Sequence, residues 1–340
     1  MKGRSQITSG LMTLVLAAVM SGCGSSEPVP DEQATAMPDN PEGYQRGLQA
    51  VGEAQVLQET INARQVRAMN ELERARESYS RALEIDSELS VAALKKGHIN
   101  SFLGNFDEAR ADYDAGIADA QGANRPNYAN YRTFTWLHAG DPDAALAALA
   151  DLAESIDHMG LPDDQVRAAT LFTLSNAAAV ALHFDRLEAA ERILARREEV
   201  AQISADTVGD PDYSRRVEAE LVLWRGRLAA VAGDLDRARD LADRNRELLQ
   251  GGSNPRRFEG HHGLLGRIAL ETGEFDEAVE QFQRADLTVT YVKYHLALAL
   301  EGQDKKQDAL RAVTKSLAAG KAFQDRDKAK ALHKKLTGSN

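Results

Sequence analysis

The sequence is nearly empty of cysteine: Cys23 is the only one in 340 residues. No disulfide can form within the chain, so its fold must rest on the apolar core. Aromatic residues make up 6% of the chain, which leaves little material for a deep, aromatic-lined ligand pocket. Alternating Val, Ile and Thr runs are almost missing, which excludes an extensive sheet. The apolar stretch Leu11 to Met20 is ten residues, about half of the roughly 20 a spanning helix needs. Also absent are Gly-x-Ser-x-Gly, His-Glu-x-x-His, Gly-x-x-x-x-Gly-Lys and Cys-x-x-Cys. Without a catalytic set the chain is expected to be no enzyme and to need no cofactor. Basic residues are in deficit too, 41 against 52 acids, for a formal net charge of −11. That balance argues against nucleic acid and against an anionic bilayer surface as partners.

At the start of the chain Lys2 and Arg4 precede the apolar stretch, and Met20-Ser21-Gly22-Cys23 follows it. This order is that of an export signal over residues 1–22. The tetrapeptide resembles the lipobox of bacterial lipoproteins, with Met20 where that motif usually has leucine. The resemblance implies that Cys23 is lipidated and that the bilayer is a partner through its acyl chains. Residues 23–43 hold Pro, Ser, Gly and acids with no Lys or Arg, the composition of a solvated tether. With Gly24 rather than Asp after the cysteine, the lipoprotein resemblance implies an outer-membrane location facing the periplasm. Loss of residues 1–22 moves the formal charge from −11 to −13, because Lys2 and Arg4 leave and no acid does.

Residues 44–340 are the expected helical repeat domain, which from residue 50 onward is rich in Ala, Leu, Glu and Arg and reads as helix throughout. One pattern recurs: Gly104-Asn105-Phe106-Asp107-Glu108-Ala109 followed by Tyr113, and Gly273-Glu274-Phe275-Asp276-Glu277-Ala278 followed by Phe282. Further copies are Gly233-Asp234-Leu235-Asp236-Arg237-Ala238 and Gly140-Asp141-Pro142-Asp143-Ala144-Ala145. Glycine can take the left-handed conformation that closes a helix, and Asp or Asn after it can cap the next. Alanine permits close approach, and an aromatic four residues on lies on the same face. A small residue also sits inside each preceding apolar stripe, as at Gly97, Gly226, Gly266, Ala178 and Ala297. Glycine there costs about 1 kcal/mol against alanine, so a neighbouring helix is expected to pack on that backbone.

These segments resemble the turn and second helix of the tetratricopeptide repeat. Steps between the crossing alanines Ala75, Ala109, Ala145, Ala190, Ala238, Ala278 and Ala309 are 34, 36, 45, 48, 40 and 31 residues. The resemblance therefore implies an all-α solenoid of about seven antiparallel helix pairs, capped by a helix over Asp325 to Leu336. Extra residues near His158 to Gln165, Ser204 to Ser214 and Leu249 to Arg257 read as longer connections. Adjacent His261 and His262 would point about 100° apart on a helix and do not converge on a metal. Asp-x-Asp pairs at Asp141/Asp143, Asp210/Asp212 and Asp234/Asp236 lack the rest of a calcium loop, so no metal site is expected.

Family geometry implies a concave groove lined by the first helix of each pair, where a protein or peptide partner lies. Carried onto this chain, the groove residues are Leu94, His98 and Phe102, then Asn127, Asn130, Phe134 and His138, then Arg227, Arg267, Tyr291 and Tyr294. Trp136 and Trp224 sit within apolar stripes and are expected in the core. The ordered Lys/Asn clamp that some members use for a carboxyl-terminal peptide is not evident. The function expected is a membrane-anchored interaction scaffold of the bacterial cell envelope; the alternative is a solute- or glycan-binding helical-repeat lipoprotein.

Overall fold

A computed structural model describes residues 65–318 and 326–338. The expected export signal over 1–22, the expected lipidation at Cys23, the expected tether over 23–43 and residues 44–64 lie outside the described residues. Among the described residues there are fourteen α-helices and no strand. In chain order they are α1 (Gln65–Ile85), α2 (Ser90–Leu103), α3 (Phe106–Asp119), α4 (Asn124–His138), α5 (Pro142–Ser155), α6 (Asp163–His183) and α7 (Leu187–Val208). They continue as α8 (Pro211–Val231), α9 (Leu235–Leu249), α10 (Glu259–Glu271), α11 (Phe275–Arg284), α12 (Thr290–Gly302), α13 (Lys306–Ala318) and α14 (Arg326–Thr337). Six complete hairpins result, α2/α3 to α12/α13. The helix α1 carries the first crossing alanine, and α14 closes the far end, as the sequence implies.

The hairpin turns share one hydrogen-bond pattern. After each first helix a residue takes positive φ: Gly104, Gly140, Gly233 and Gly273, and in the two pairs without glycine Asp185 and Asp304, at 56° and 62°. The following amide then reaches back five residues: Asn105 to Asn100, Asp141 to Trp136, Arg186 to Ala181, Asp234 to Ala229, Glu274 to Ala269 and Lys305 to Leu300, all at 2.8–3.0 Å. This bond satisfies a carbonyl that the helix end would otherwise orphan, and it fixes the reversal. Capping of the second helix is less uniform than the sequence implies. Asp141 and Asp234 accept from Ala144 N and Arg237 N, whereas Asn105 makes no side-chain cap bond. The Asn105 amide is turned back toward Asn100 Oδ1 instead.

All seven crossing alanines are fully buried, as are Ala178 and Ala297. Tyr79, Tyr113 and Phe282, four residues beyond their alanines, are buried with them. A Cβ built on Gly266 would lie 2.8 Å from the Phe282 ring, and one on Gly97 3.1 Å from Tyr113. On Gly226 the intruder is Leu264 of the next hairpin, at 2.6 Å. Apolar packing is divided into a series of small clusters between successive hairpins, such as Leu94, Ala109, Tyr113 and Tyr128 at one point and Ala230, Ala238, Ala242, Leu264 and Ile268 at another. That is how stacked repeats bury surface, each unit against its neighbours.

Two expectations are corrected here. The long steps around Ala190 are taken up by longer helices, because α6, α7 and α8 run 21, 22 and 21 residues. Only Gly209 and Asp210 separate α7 from α8, and Asp210 caps α8 through Asp212 N, so the polar composition of Ser204 to Ser214 marks a sharp helix boundary. Of the three expected long connections two remain, between Ser155 and Asp163, where the short 3-10 turn Ile156–His158 intervenes, and between Leu249 and Glu259. Trp136 is half-buried rather than core. The guanidinium groups of Arg110 and Arg132 both lie over its ring, at 5.1 and 5.3 Å. Trp224 is buried as expected, against Ala178, Ala181 and Leu228.

Candidate partner-binding groove

Contacts that skip one helix run between first helices: α2 to α4, α4 to α6, α6 to α8, α8 to α10 and α10 to α12. No second helix makes a comparable contact with the next second helix. The array therefore curves around its first helices, and their outward stripes form the concave face. Helical spacing puts Val91, Lys95, His98 and Phe102 on one stripe of α2, and Asn127, Phe134 and His138 on one stripe of α4. The same spacing groups Arg216, Glu220 and Arg227 on α8, Arg267 and Glu271 on α10, and Tyr291, His295 and Leu298 on α12.

Three of the expected groove residues belong to the interior. Leu94 is 8% exposed and packs with Ala109, Tyr113 and Tyr128; Tyr294 is 6% exposed and packs with Val313, Ala329 and Leu332 of α13 and α14. Each lies about one residue's rotation off the stripe, enough to turn it into the seam with the next helix. Asn130 is 1% exposed and its amide is fully committed. Its Nδ2 donates to Pro126 O and Thr173 Oγ1, and its Oδ1 accepts from Asn176 Nδ2, each at 2.9 Å. It joins α4 to α6.

The other expected residues lie on the outward stripes of their first helices, with different degrees of freedom. Asn127 is exposed and Phe134 is half-buried. His98 is half-buried edge-on between the rings of Tyr113 and Tyr131, at 5.6 and 4.7 Å. Burial, with Lys95 and His138 beside it, pushes its pKa down to about 3, so it is neutral at ordinary pH. Phe102 stacks on His138, whose Nδ1 meets Ser101 Oγ.

At the other end, Arg267 pairs with Glu271 at 2.6 Å and bonds His295 Nε2 at 2.9 Å. His295 Nδ1 faces the Tyr291 carbonyl at 2.9 Å, so that nitrogen carries the proton and Nε2 accepts from the arginine. Burial pulls the Arg267 pKa down, but Tyr291 and Glu271 outweigh it and raise the net value. Arg227 lies over the Trp224 ring, 4.9 Å from its centroid, and burial lowers its pKa despite Tyr291 and Glu220 nearby.

Sequence reasoning passed over Lys95, although it is one turn from His98 on the same stripe; burial lowers its pKa. It also passed over Arg197, a second-helix residue 3% exposed that reaches Ser175 Oγ and Glu220. The register of α2 could have revealed Lys95, but nothing in the sequence ties Arg197 to α8. Among the described residues no group of three or more His, Cys, Asp or Glu is placed to hold a metal ion. His262 Nδ1 is instead engaged by Gln281 Oε1 at 2.7 Å, and the ring of His261 is buried.

No curated protein matches the sequence. A family model described as Tetratricopeptide repeat matches residues 219–244 and 260–284, which span the α8/α9 and α10/α11 turns. Among solved structures, a tetratricopeptide repeat protein from Parabacteroides merdae covers 87% of this chain and 100% of its own, at 13% identity and a TM-score of 0.45. Two tetratricopeptide repeats are thus matched outright, and the same turn, crossing alanine and stacked hairpin recur on both sides of them.

Proposed function

We propose that this chain is a lipid-anchored scaffold of the bacterial cell envelope that holds a polypeptide partner along its concave face. A helical-repeat array of this kind serves protein interaction through its geometry. The observation that carries the groove reading is that Asn127 and Phe134 on α4 and Arg227 on α8, first helices of one curved face, keep accessible surface instead of closing into a core. Aromatic, amide and guanidinium groups of this kind dominate polypeptide recognition. The anchor reading is supported by the sequence: the one cysteine stands at the end of the export signal, and an acidic tether separates it from the repeats. Three acyl chains at Cys23 would attach the protein firmly, and outer-membrane placement facing the periplasm follows from Gly24.

Two measurements test this. Metabolic labelling with a fatty-acid analogue should mark the full chain and fail with Cys23→Ser; a labelled Cys23→Ser protein refutes the anchor. A photo-crosslinking residue at Phe134, in cells, should trap a partner that the same residue at exposed Arg192 does not. Equal adducts at both positions, or none at Phe134, refute the groove.

A further inference from the structure

We propose that the segment held in the groove is acidic: an extended stretch of polypeptide whose aspartate or glutamate side chains meet Arg227 and Lys95. This rests on the groove reading and adds the chemistry of the occupant. The argument begins with where charge is already satisfied. Outside the groove, first helices are tied to neighbouring second helices by ion pairs, such as Lys96 to Asp112, Arg132 to Asp114, Arg225 to Glu191 and Glu198, and Arg244 to Glu218. On the concave stripes the two acids are spent, Glu220 on Arg197 and Glu271 on Arg267.

Lys95 and Arg227 differ from all of these. Both are half-buried, and neither has an ion pair or a hydrogen bond within the described residues. A cation partly withdrawn from water without a counter-ion is unfavourable, and a carboxylate arriving with the ligand would relieve that cost at both places. Arg227 is well disposed for it. The Trp224 ring occupies one face of the guanidinium, which leaves the in-plane N–H groups available for a two-pronged bond to a carboxylate. The rest of the protein is acidic, at −11, so the groove is a positive strip in a negative body. Such a field favours an acidic peptide of modest charge and repels a long polyphosphate, whose affinity depends on many cations.

The test uses the full chain and fluorescence anisotropy with three labelled peptides of one length: alternating glutamate and alanine, the same with glutamine, and the same with lysine. The glutamate peptide should bind, more weakly as salt rises, and the glutamine peptide about tenfold or more worse. Arg227→Gln and Lys95→Gln should each weaken the glutamate peptide by a comparable factor, while Arg192→Gln leaves it unchanged. Arg227→Glu should shift preference toward the lysine peptide, a gain that a misfolded variant would not show; unchanged circular dichroism confirms folding. Equal binding of glutamate and glutamine peptides, insensitivity to both neutralising variants, or tighter binding of a single-stranded oligonucleotide overturns the proposal. Cross-links at Phe134 to a partner segment without acids would overturn it while leaving the scaffold reading intact.

Discussion

Replacing Gly266 by alanine sets two opposed effects of known size against each other. In an exposed helix interior the change is favourable by about 1 kcal/mol, because alanine loses less backbone entropy. Here the new Cβ would stand 2.8, 2.9 and 3.0 Å from Cδ1, Cε1 and Cγ of Phe282, where ordinary contact begins several tenths of an ångström farther out. Phe282 is fully buried, walled by Ala269, Ala278, Val279, Ala285 and Val292, so the ring cannot swing into solvent. Overpacking of this kind costs about 2–3 kcal/mol gross, which leaves Gly266→Ala about 1–2 kcal/mol less stable.

In a Phe282→Leu background the flexible side chain can yield, and the same alanine should recover stability by about 0.5–1 kcal/mol. Urea titration by circular dichroism reads the cycle. Because stacked repeats open segment by segment, hydrogen exchange of the α10 and α11 amides should show the loss concentrated there. If Gly266→Ala is as stable as the parent or more so, close approach to Phe282 is not what requires glycine at this position.

Other consequences follow from the turns and the buried imidazoles. Asp141→Ala and Asp234→Ala should each cost about 1 kcal/mol in urea titration, and Asn105→Ala markedly less, since Asn105 makes no cap bond. Asp185→Gly and Asp304→Gly should raise the melting temperature, each by the equivalent of about 0.5–1 kcal/mol, because both residues hold positive φ. Gly104→Ala should lower it although nothing lies within 4 Å of the new Cβ, since its φ is 86°. Burial depresses the pKa of His98 to about 3 and of His261 to about 4. Their folded values lie below the unfolded one near 6.5, so their contribution is complete above about pH 6.5 and is lost as pH falls toward 4 and then 3. Each should add up to about 1.4 kcal/mol per pH unit to the slope of stability there; a slope unchanged in His98→Gln/His261→Gln would refute this.

What the sequence by itself determined was the repeating unit. Positive-φ glycine after a helix, a crossing alanine, and an aromatic one turn beyond are signals contained within a few residues. They give the hairpin its turn and its closest contact wherever they occur, and so Ala75 through Ala309 could be read as buried from spacing alone. Even the degenerate pairs keep the reversal, with Asp185 and Asp304 standing where the stronger copies have glycine.

Only the tertiary structure decided which side chains of the first helices remain available. Asn130 is consumed by Thr173 and Asn176, more than forty positions away, and Leu94 and Tyr294 turn into seams with neighbouring helices. Arg197 crosses from a second helix to meet Glu220, leaving Arg227 with no acid of its own. The physical reason is one of range. Helix and turn formation depends on neighbours within about one turn, whereas the fate of a stripe residue depends on how far the next helix is rotated and how sharply the array bends. A rotation of one position separates Leu94, in the core, from Lys95, partly withdrawn from water without a partner.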